Sequence, residues 1–142
     1  MTVINVQDFA ALDPFFQIIA EGLDGLVDGE HFFDFFAEDA VTDYVVTVPD
    51  YPRRVEGRAA LEQLYRTYGD TLYLHGAGDL AAHYDRDASV AVLEYSAHGV
   101  VVATGARYEN HYISVIGISD RKIVWWRDYL DPLAVINALS AR

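Results

Sequence analysis

At 142 residues the chain is long enough for one domain around a single core and too short for two. With 52% hydrophobic and 13% aromatic residues it reads as a folded, cavity-forming protein, which excludes a disordered tail. A formal net charge of -12 repels a phosphate backbone and excludes nucleic acid as a partner, and the lack of cysteine excludes disulfides, thiolate catalysis and zinc-thiolate sites.

The start of the chain has no basic n-region, and no apolar run approaches the ~20 residues that span a bilayer. A soluble cytoplasmic protein with no membrane partner is the expectation, and a cysteine-free chain fits a reducing compartment.

Asp13-Pro14 predicts a helix start, with Asp13 as N-cap and Phe15, Ile18, Ile19, Gly22 and Leu26 following at helical spacing until Asp28-Gly29. A second short helix is expected over His31–Ala37, rich in phenylalanine. Val41–Val48 is β-branched and reads as a strand, ended by Pro49-Asp50-Tyr51-Pro52. Arg58–Tyr68 is the third helix, with Leu61, Leu64, Tyr65 and Tyr68 on one face and Gly69 as its stop. Strands follow over Thr71–Tyr84, Ser89–Thr104, Tyr108–Ile118 and Ile123–Leu130, and Asp131-Pro132 opens a closing helix. Three helices before a mainly antiparallel sheet make an α+β domain.

Alternation sorts the strand side chains. With Thr104-Gly105 as a two-residue hairpin loop and Ile118 opposite Lys122, Asp128 falls beside Tyr112 and Trp126 beside Ser114. One face then collects Tyr95, Tyr108, Asn110, Tyr112, Ser114, Trp126 and Asp128. That set is too polar for a plain core, and a pocket under the helices is the simpler reading. The other face, with Glu94, His98, His111, Ile113, Val115, Trp125, Arg127 and Tyr129, is too apolar for full exposure and suggests a homodimer through the back of the sheet.

The order of elements, with Phe36-Ala37-Glu38-Asp39-Ala40-Val41, Val55-Glu56-Gly57-Arg58-Ala59-Ala60-Leu61 and Trp126-Arg127-Asp128-Tyr129-Leu130-Asp131-Pro132, resembles the nuclear transport factor 2-like superfamily, and within it the SnoaL-like polyketide cyclases and ketosteroid isomerase-like proteins. The resemblance covers nearly the whole chain as one SnoaL-like domain. It implies a cone-shaped, curved sheet wrapped over three N-terminal helices, a short C-terminal helix, a pocket between them and usually a homodimer. The Thr42/Tyr44 strand and Trp126-Arg127-Asp128-Tyr129 also resemble limonene epoxide hydrolase, but that enzyme's Arg-x-Asp pair would fall at Tyr95 and Ala97. Tyr108-Glu109-Asn110-His111-Tyr112 and the Arg127-Asp128 step look like the phenazine-biosynthesis isomerase/condensing proteins, in which a carboxylate at the position of Asp128 acts as acid or base. Their additional pocket His and Ser would fall at Leu64 and Tyr68.

Asp128 is therefore the expected acid/base. A carboxylate in a Trp-flanked apolar pocket has its pKa raised by desolvation. Tyr112, Asn110 and Tyr44 are the expected donors to a developing enolate oxygen. Thr42, Tyr68, Leu72, Leu74, Tyr95, Tyr108, Ser114 and Trp126 are the expected lining for a hydrophobic small molecule. The chemistry this supports is isomerisation, cyclisation or dehydration of a carbonyl compound. The competing reading is a non-catalytic ligand-binding or interaction domain whose Asp128 pairs with an arginine or with backbone.

Asp131 reads as an N-cap. His111 falls on the back face with His98, and His75, near the pocket rim by resemblance, is the alternative acid/base. The histidines show no metal-ligand spacing, and Gly76-Ala77-Gly78 lacks the lysine of a phosphate loop, so no metal and no cofactor are expected.

Overall fold

The structure, a computed structural model, describes residues 6–46 and 48–140. A 3-10 helix over Val6–Leu12 runs straight into α1, Asp13–Gly22. Pro14 occupies the first turn, where its missing N–H costs nothing. Because the preceding residues are already helical, Asp13 is the first residue of α1 and not its cap, and its carboxylate accepts from Gln17 Nε2 at 2.7 Å. The helix ends at Gly22, where an added Cβ would come within 2.7 Å of Leu93 Cδ1, so a side chain there would displace the buried Leu93.

The expected second helix is a single 3-10 turn, Phe32–Phe35. His31 caps it: its Nδ1 accepts from the Phe33 N–H, and the Asp34 carboxylate accepts from the His31 N–H. From Phe36 the chain is already extended, so β1 is Phe36–Tyr44 and not Val41–Val48. Phe36, Ala40, Thr42 and Tyr44 turn inward along it. Thr47, within the expected strand, lies outside the described residues. Arg54–Glu56 forms a short β2 that the composition does not signal, and α2 follows over Arg58–Arg66. Then come β3 (Leu72–Asp85), β4 (Val90–Val101), β5 (Arg107–Ser119), β6 (Lys122–Leu130) and α3 (Pro132–Ser140).

The six strands form one sheet in the order β2-β1-β6-β5-β4-β3, antiparallel everywhere except between β1 and β6. This mixed but mainly antiparallel sheet curves over the helices, giving the expected α+β roll. Bulges between Leu74 and Gly76 and between Gly78 and Ala81 bend β3. At Gly99 a Cβ would lie 1.9 Å from the Tyr73 carbonyl oxygen, so the bent strands touch backbone to backbone there.

Two registers differ from the expectation. A two-residue Thr104-Gly105 loop would set Tyr95 opposite Ser114 and Ala97 opposite Tyr112, whereas β4 and β5 pair with Tyr95 opposite Tyr112 and Ala97 opposite Asn110, because the connection is longer. The β5–β6 turn is Asp120-Arg121, both at positive φ as a tight hairpin requires, with a bulge between Gly117 and Ile118 taking up the extra residue. Both shifts amount to an even number of residues along most of the ladder, so each side chain keeps its face while its neighbour changes. Asp128 consequently lies across from Ser114, and Trp126 across from Ile116.

The aromatic core sits between α1, the 3-10 turn and the sheet: Phe16 stacks on Phe32 at 4.4 Å, and Phe36 on Trp126 at 5.8 Å. Among the described residues no helix is long and apolar enough to cross a membrane.

Candidate active site

Asp128 is held from three sides. Its backbone carbonyl accepts from the Val45 N–H at 3.0 Å, stitching β6 to the end of β1. Its Oδ1 accepts from Ser114 Oγ at 2.8 Å on β5 and from Trp126 Nε1 at 2.9 Å, two residues back on the same strand. Ser114 Oγ, having spent its proton on Asp128, accepts in turn from the Tyr95 hydroxyl at 2.7 Å. Among the described residues no donor reaches Oδ2, and no arginine or lysine pairs with the carboxylate. The side chain is only 8% exposed. Burial pushes its pKa from 3.8 up to about 6, against the opposing pull of the Trp126 and Ser114 hydrogen bonds.

This carboxylate lines a cavity of about 420 Å³ enclosed by α1, α2, α3, the 48–52 loop and the sheet. Its walls are mostly apolar, with Phe15, Leu64, Leu72, Leu74, Leu130 and Val135, and its polar groups are chiefly phenols. Tyr44 donates to the Tyr65 hydroxyl at 2.8 Å. The Tyr108 and Tyr112 hydroxyls lie 2.6 Å apart, and Asn110 Nδ2 donates to Tyr108 at 2.9 Å. Burial raises the pKa of every one of these tyrosines, along with Tyr68, so they are neutral donors at physiological pH.

Of the residues expected at the site, Asp128, Tyr44, Tyr68, Leu72, Leu74, Tyr108 and Tyr112 line the cavity. Tyr95, Ser114 and Trp126 share the face but stand behind the wall, where they hold the carboxylate. Thr42 is buried between Val55 and Trp126 and does not reach the cavity. Asn110 has both amide protons engaged, one on Tyr108 and one on the Asp131 carbonyl, while its oxygen accepts from the Asp131 and His111 N–H groups. It therefore latches α3 to the sheet and has no proton left for a ligand.

Asp131 caps α3 by accepting from the Leu133 N–H at 3.0 Å. His75 is exposed on β3, one residue out of phase with the inward Leu72 and Leu74, so it is not at the rim. His111 is exposed on the back face. Among the described residues no group of three or more His, Cys, Asp or Glu side chains could hold a metal ion.

Sequence reasoning missed Tyr51, Tyr65 and α3 as cavity walls. Tyr65 carried a signal, since it shares the apolar face of α2 with Leu61. Tyr51 carried none: flanked by prolines, it reads as turn, yet its ring packs on Tyr44 at 4.9 Å and closes the cavity from the loop.

No family model matches the chain. It is 31% identical over 113 residues to the uncharacterized protein YesE of Bacillus subtilis, covering 80% of this chain and 77% of that protein. It is 27% identical over 113 residues to the uncharacterized PhzA/B-like protein PA3332 of Pseudomonas aeruginosa, covering 80% and 79%. The crystal structure of a proposed isomerase from Bacillus subtilis superposes with a TM-score of 0.74 over 98% of each chain at 27% identity. At the level of fold alone, proteins described as polyketide cyclases and NTF2-like proteins share the architecture at under 20% identity.

Proposed function

We propose that this chain, which belongs to one family with YesE and has the fold of the nuclear transport factor 2-like and SnoaL-like proteins, is an enzyme moving a proton at carbon beside a carbonyl, with Asp128 as acid/base. The observation that carries this reading is the free Oδ2 of a buried, unpaired carboxylate on the wall of a phenol-lined cavity. With its pKa near 6, Asp128 is ionised at neutral pH yet close enough to it to return the proton.

In the proposed step Oδ2 takes a proton from the carbon next to the carbonyl. The C–H electron pair moves into the enolate, and the oxygen takes up the charge. Asn110 donates to Tyr108, which leaves the Tyr108 proton to point at Tyr112 and frees the Tyr112 proton for the enolate oxygen. Tyr65, which accepts from Tyr44 and so keeps its own proton, is the second candidate donor, and Tyr44, expected as a donor, instead orients it. Protonated Asp128 then returns the proton to another carbon in isomerisation, to the alkoxide oxygen left when the enolate carbon bonds to a second carbonyl carbon in cyclisation, or to the hydroxyl that leaves as water in dehydration. The apolar walls support a hydrophobic substrate, and the acid/base chemistry proposed makes it a carbonyl compound.

The experiment is solvent deuterium exchange, followed by NMR, into a panel of cyclic ketones and enones with wild type and Asp128→Asn. Exchange should appear with wild type and fall at least 100-fold in the variant, within the ordinary range for acid/base removal. Equal exchange by both proteins removes the catalytic role. Saturable binding without exchange favours the non-catalytic ligand-binding reading, which the same apolar walls support. Epoxide hydrolysis by an Arg-x-Asp pair has no residues for it at Tyr95 and Ala97.

A cytoplasmic homodimer belongs to the same proposal. The back of the sheet carries Ile113, 40% exposed, and Trp125 with Arg127 stacked over its ring at 4.7 Å. Light scattering should give twice the monomer mass for wild type and the monomer mass for Ile113→Asp.

A further inference from the structure

The cavity contains a buried negative charge and nothing of opposite sign. Asp128 is buried on its wall, Asp50 is exposed on the loop at its edge, and no Lys, Arg or His is among the lining residues. The ion pairs of the described residues, such as Arg54 with Asp43 and Arg121 with Asp28, are all elsewhere and largely exposed. A buried carboxylate is ordinarily satisfied by a cation, and here the ring of protein groups leaves Oδ2 for something that enters from outside. Around it stand Tyr44, Tyr51, Tyr65, Tyr68, Tyr108 and Tyr112, whose rings attract cations through their faces. At a net charge of -12 the whole molecule draws cations toward itself and repels anions.

We infer that this cavity binds lipophilic organic amines in their protonated form, the ammonium N–H donating to Oδ2 of Asp128 and the apolar body lying against Phe15, Leu72, Leu74 and Val135. The inference rests on the cavity and its charge, not on catalysis, and extends the range of ligands beyond carbonyl compounds. It also orders ligands by charge: an amine is favoured over a ketone of the same shape, and a carboxylate is rejected. An anion beside Asp128 would meet like charge with no nearby cation to offset it.

The pH dependence follows from what faces the carboxylate. Trp126 from β6, Ser114, Tyr108 and Tyr112 from β5, Tyr95 from β4, Tyr44 from β1, Tyr65 and Tyr68 from α2 and its C-terminal extension, and Tyr51 from the loop are all uncharged near neutrality. Asp128 is thus the group whose titration near pH 6 governs amine binding. The amine preference is full above that value and fades below it.

The test uses three cage hydrocarbons of matched size: aminoadamantane, adamantanone and adamantane carboxylate. Each is titrated calorimetrically into wild type at about pH 8 and about pH 5, on either side of the Asp128 titration, and into Asp128→Asn at the higher pH. The amine should bind wild type about tenfold or more tighter than the ketone at the higher pH, with the carboxylate weakest. The preference should shrink at the lower pH and vanish in Asp128→Asn. Equal binding of amine and ketone, an amine preference that survives Asp128→Asn, or no saturable binding of any of the three overturns the inference. The wild-type pH comparison keeps the test decisive if the variant folds poorly. Absence of deuterium exchange by wild type, or equal exchange by wild type and Asp128→Asn, would count against the catalytic reading alone and leave this one standing.

Discussion

Replacing Asp128 with asparagine should stabilise the protein at neutral and alkaline pH. Asparagine keeps the carbonyl oxygen that accepts from Ser114 Oγ and Trp126 Nε1, and it removes a charge from an almost solvent-free site. The sign follows from linkage. The folded pKa, about 6, lies above the ordinary 3.8, so between those values the native state binds the proton that the unfolded chain has released. Any stability this group contributes is present below the unfolded pKa and is lost as pH rises through the folded one.

A shift of about two pKa units corresponds to roughly 3 kcal/mol at 1.36 kcal/mol per unit. Wild type should therefore lag Asp128→Asn by about that much near pH 8, and the gap should close toward pH 4. Urea unfolding of both proteins across this range reads the difference directly, with other carboxylates cancelling in the subtraction. A gap that does not change with pH, or a variant less stable than wild type near pH 8, would refute the idea that Asp128 is an uncompensated buried charge.

Ser114→Ala removes one of the two donors on Oδ1 and should move the acidic limb of any pH–rate profile to higher pH. The same change orphans the Tyr95 hydroxyl and should cost about 1–3 kcal/mol in urea unfolding. Asn110→Leu breaks the latch on Asp131 and should raise amide exchange across α3 before the rest of the sheet responds. Gly99→Ala places a methyl against the Tyr73 carbonyl, and the strands must part to admit it. A loss of about 2 kcal/mol or more in unfolding free energy is expected.

The face that carries Asp128 was legible because parity survives an even register shift, even though both hairpin loops were assigned the wrong length. Its exact neighbours were not legible. Whether Asp128 meets Tyr112 or Ser114 depends on a bulge at Gly117, and that depends on Trp125: a Cβ at Gly117 would lie 2.0 Å from the Trp125 ring, a contact no local propensity encodes. The roles of Ser114 and Trp126 followed the same pattern. Both belonged to the right face, but only the three-dimensional arrangement separates a side chain that touches the cavity from one that braces the carboxylate behind it. Asn110 was misjudged because its polarity suggested a ligand donor, whereas its partners lie in the backbone of Asp131, beyond the end of β6. β2 and the early start of β1 escaped because neither Glu38-Asp39 nor the short Arg54-Val55-Glu56 stretch has strand composition: the latter is extended by pairing with Val41–Asp43, and the former lies in the irregular stretch between Phe36 and Val41, both of which pair with β6.

The parallel pairing of β1 with β6 also sets the order in which the chain can assemble. Tyr44 pairs with Asp128, and Phe36 with Ile123, so β1 has only the three-residue β2 beside it until nearly the whole chain has been made. During synthesis the phenylalanine-rich stretch at 32–36 leaves the ribosome long before Trp126 arrives to cover it. The antiparallel β3–β4–β5 meander is local and can form first. Closing the sheet with β6 then completes the surroundings of the Asp128 carboxylate and covers the aromatic cluster in one event. A chain stalled before residue 122 would hold neither, and would leave Phe32 and Phe36 without the Trp126 ring that packs on them.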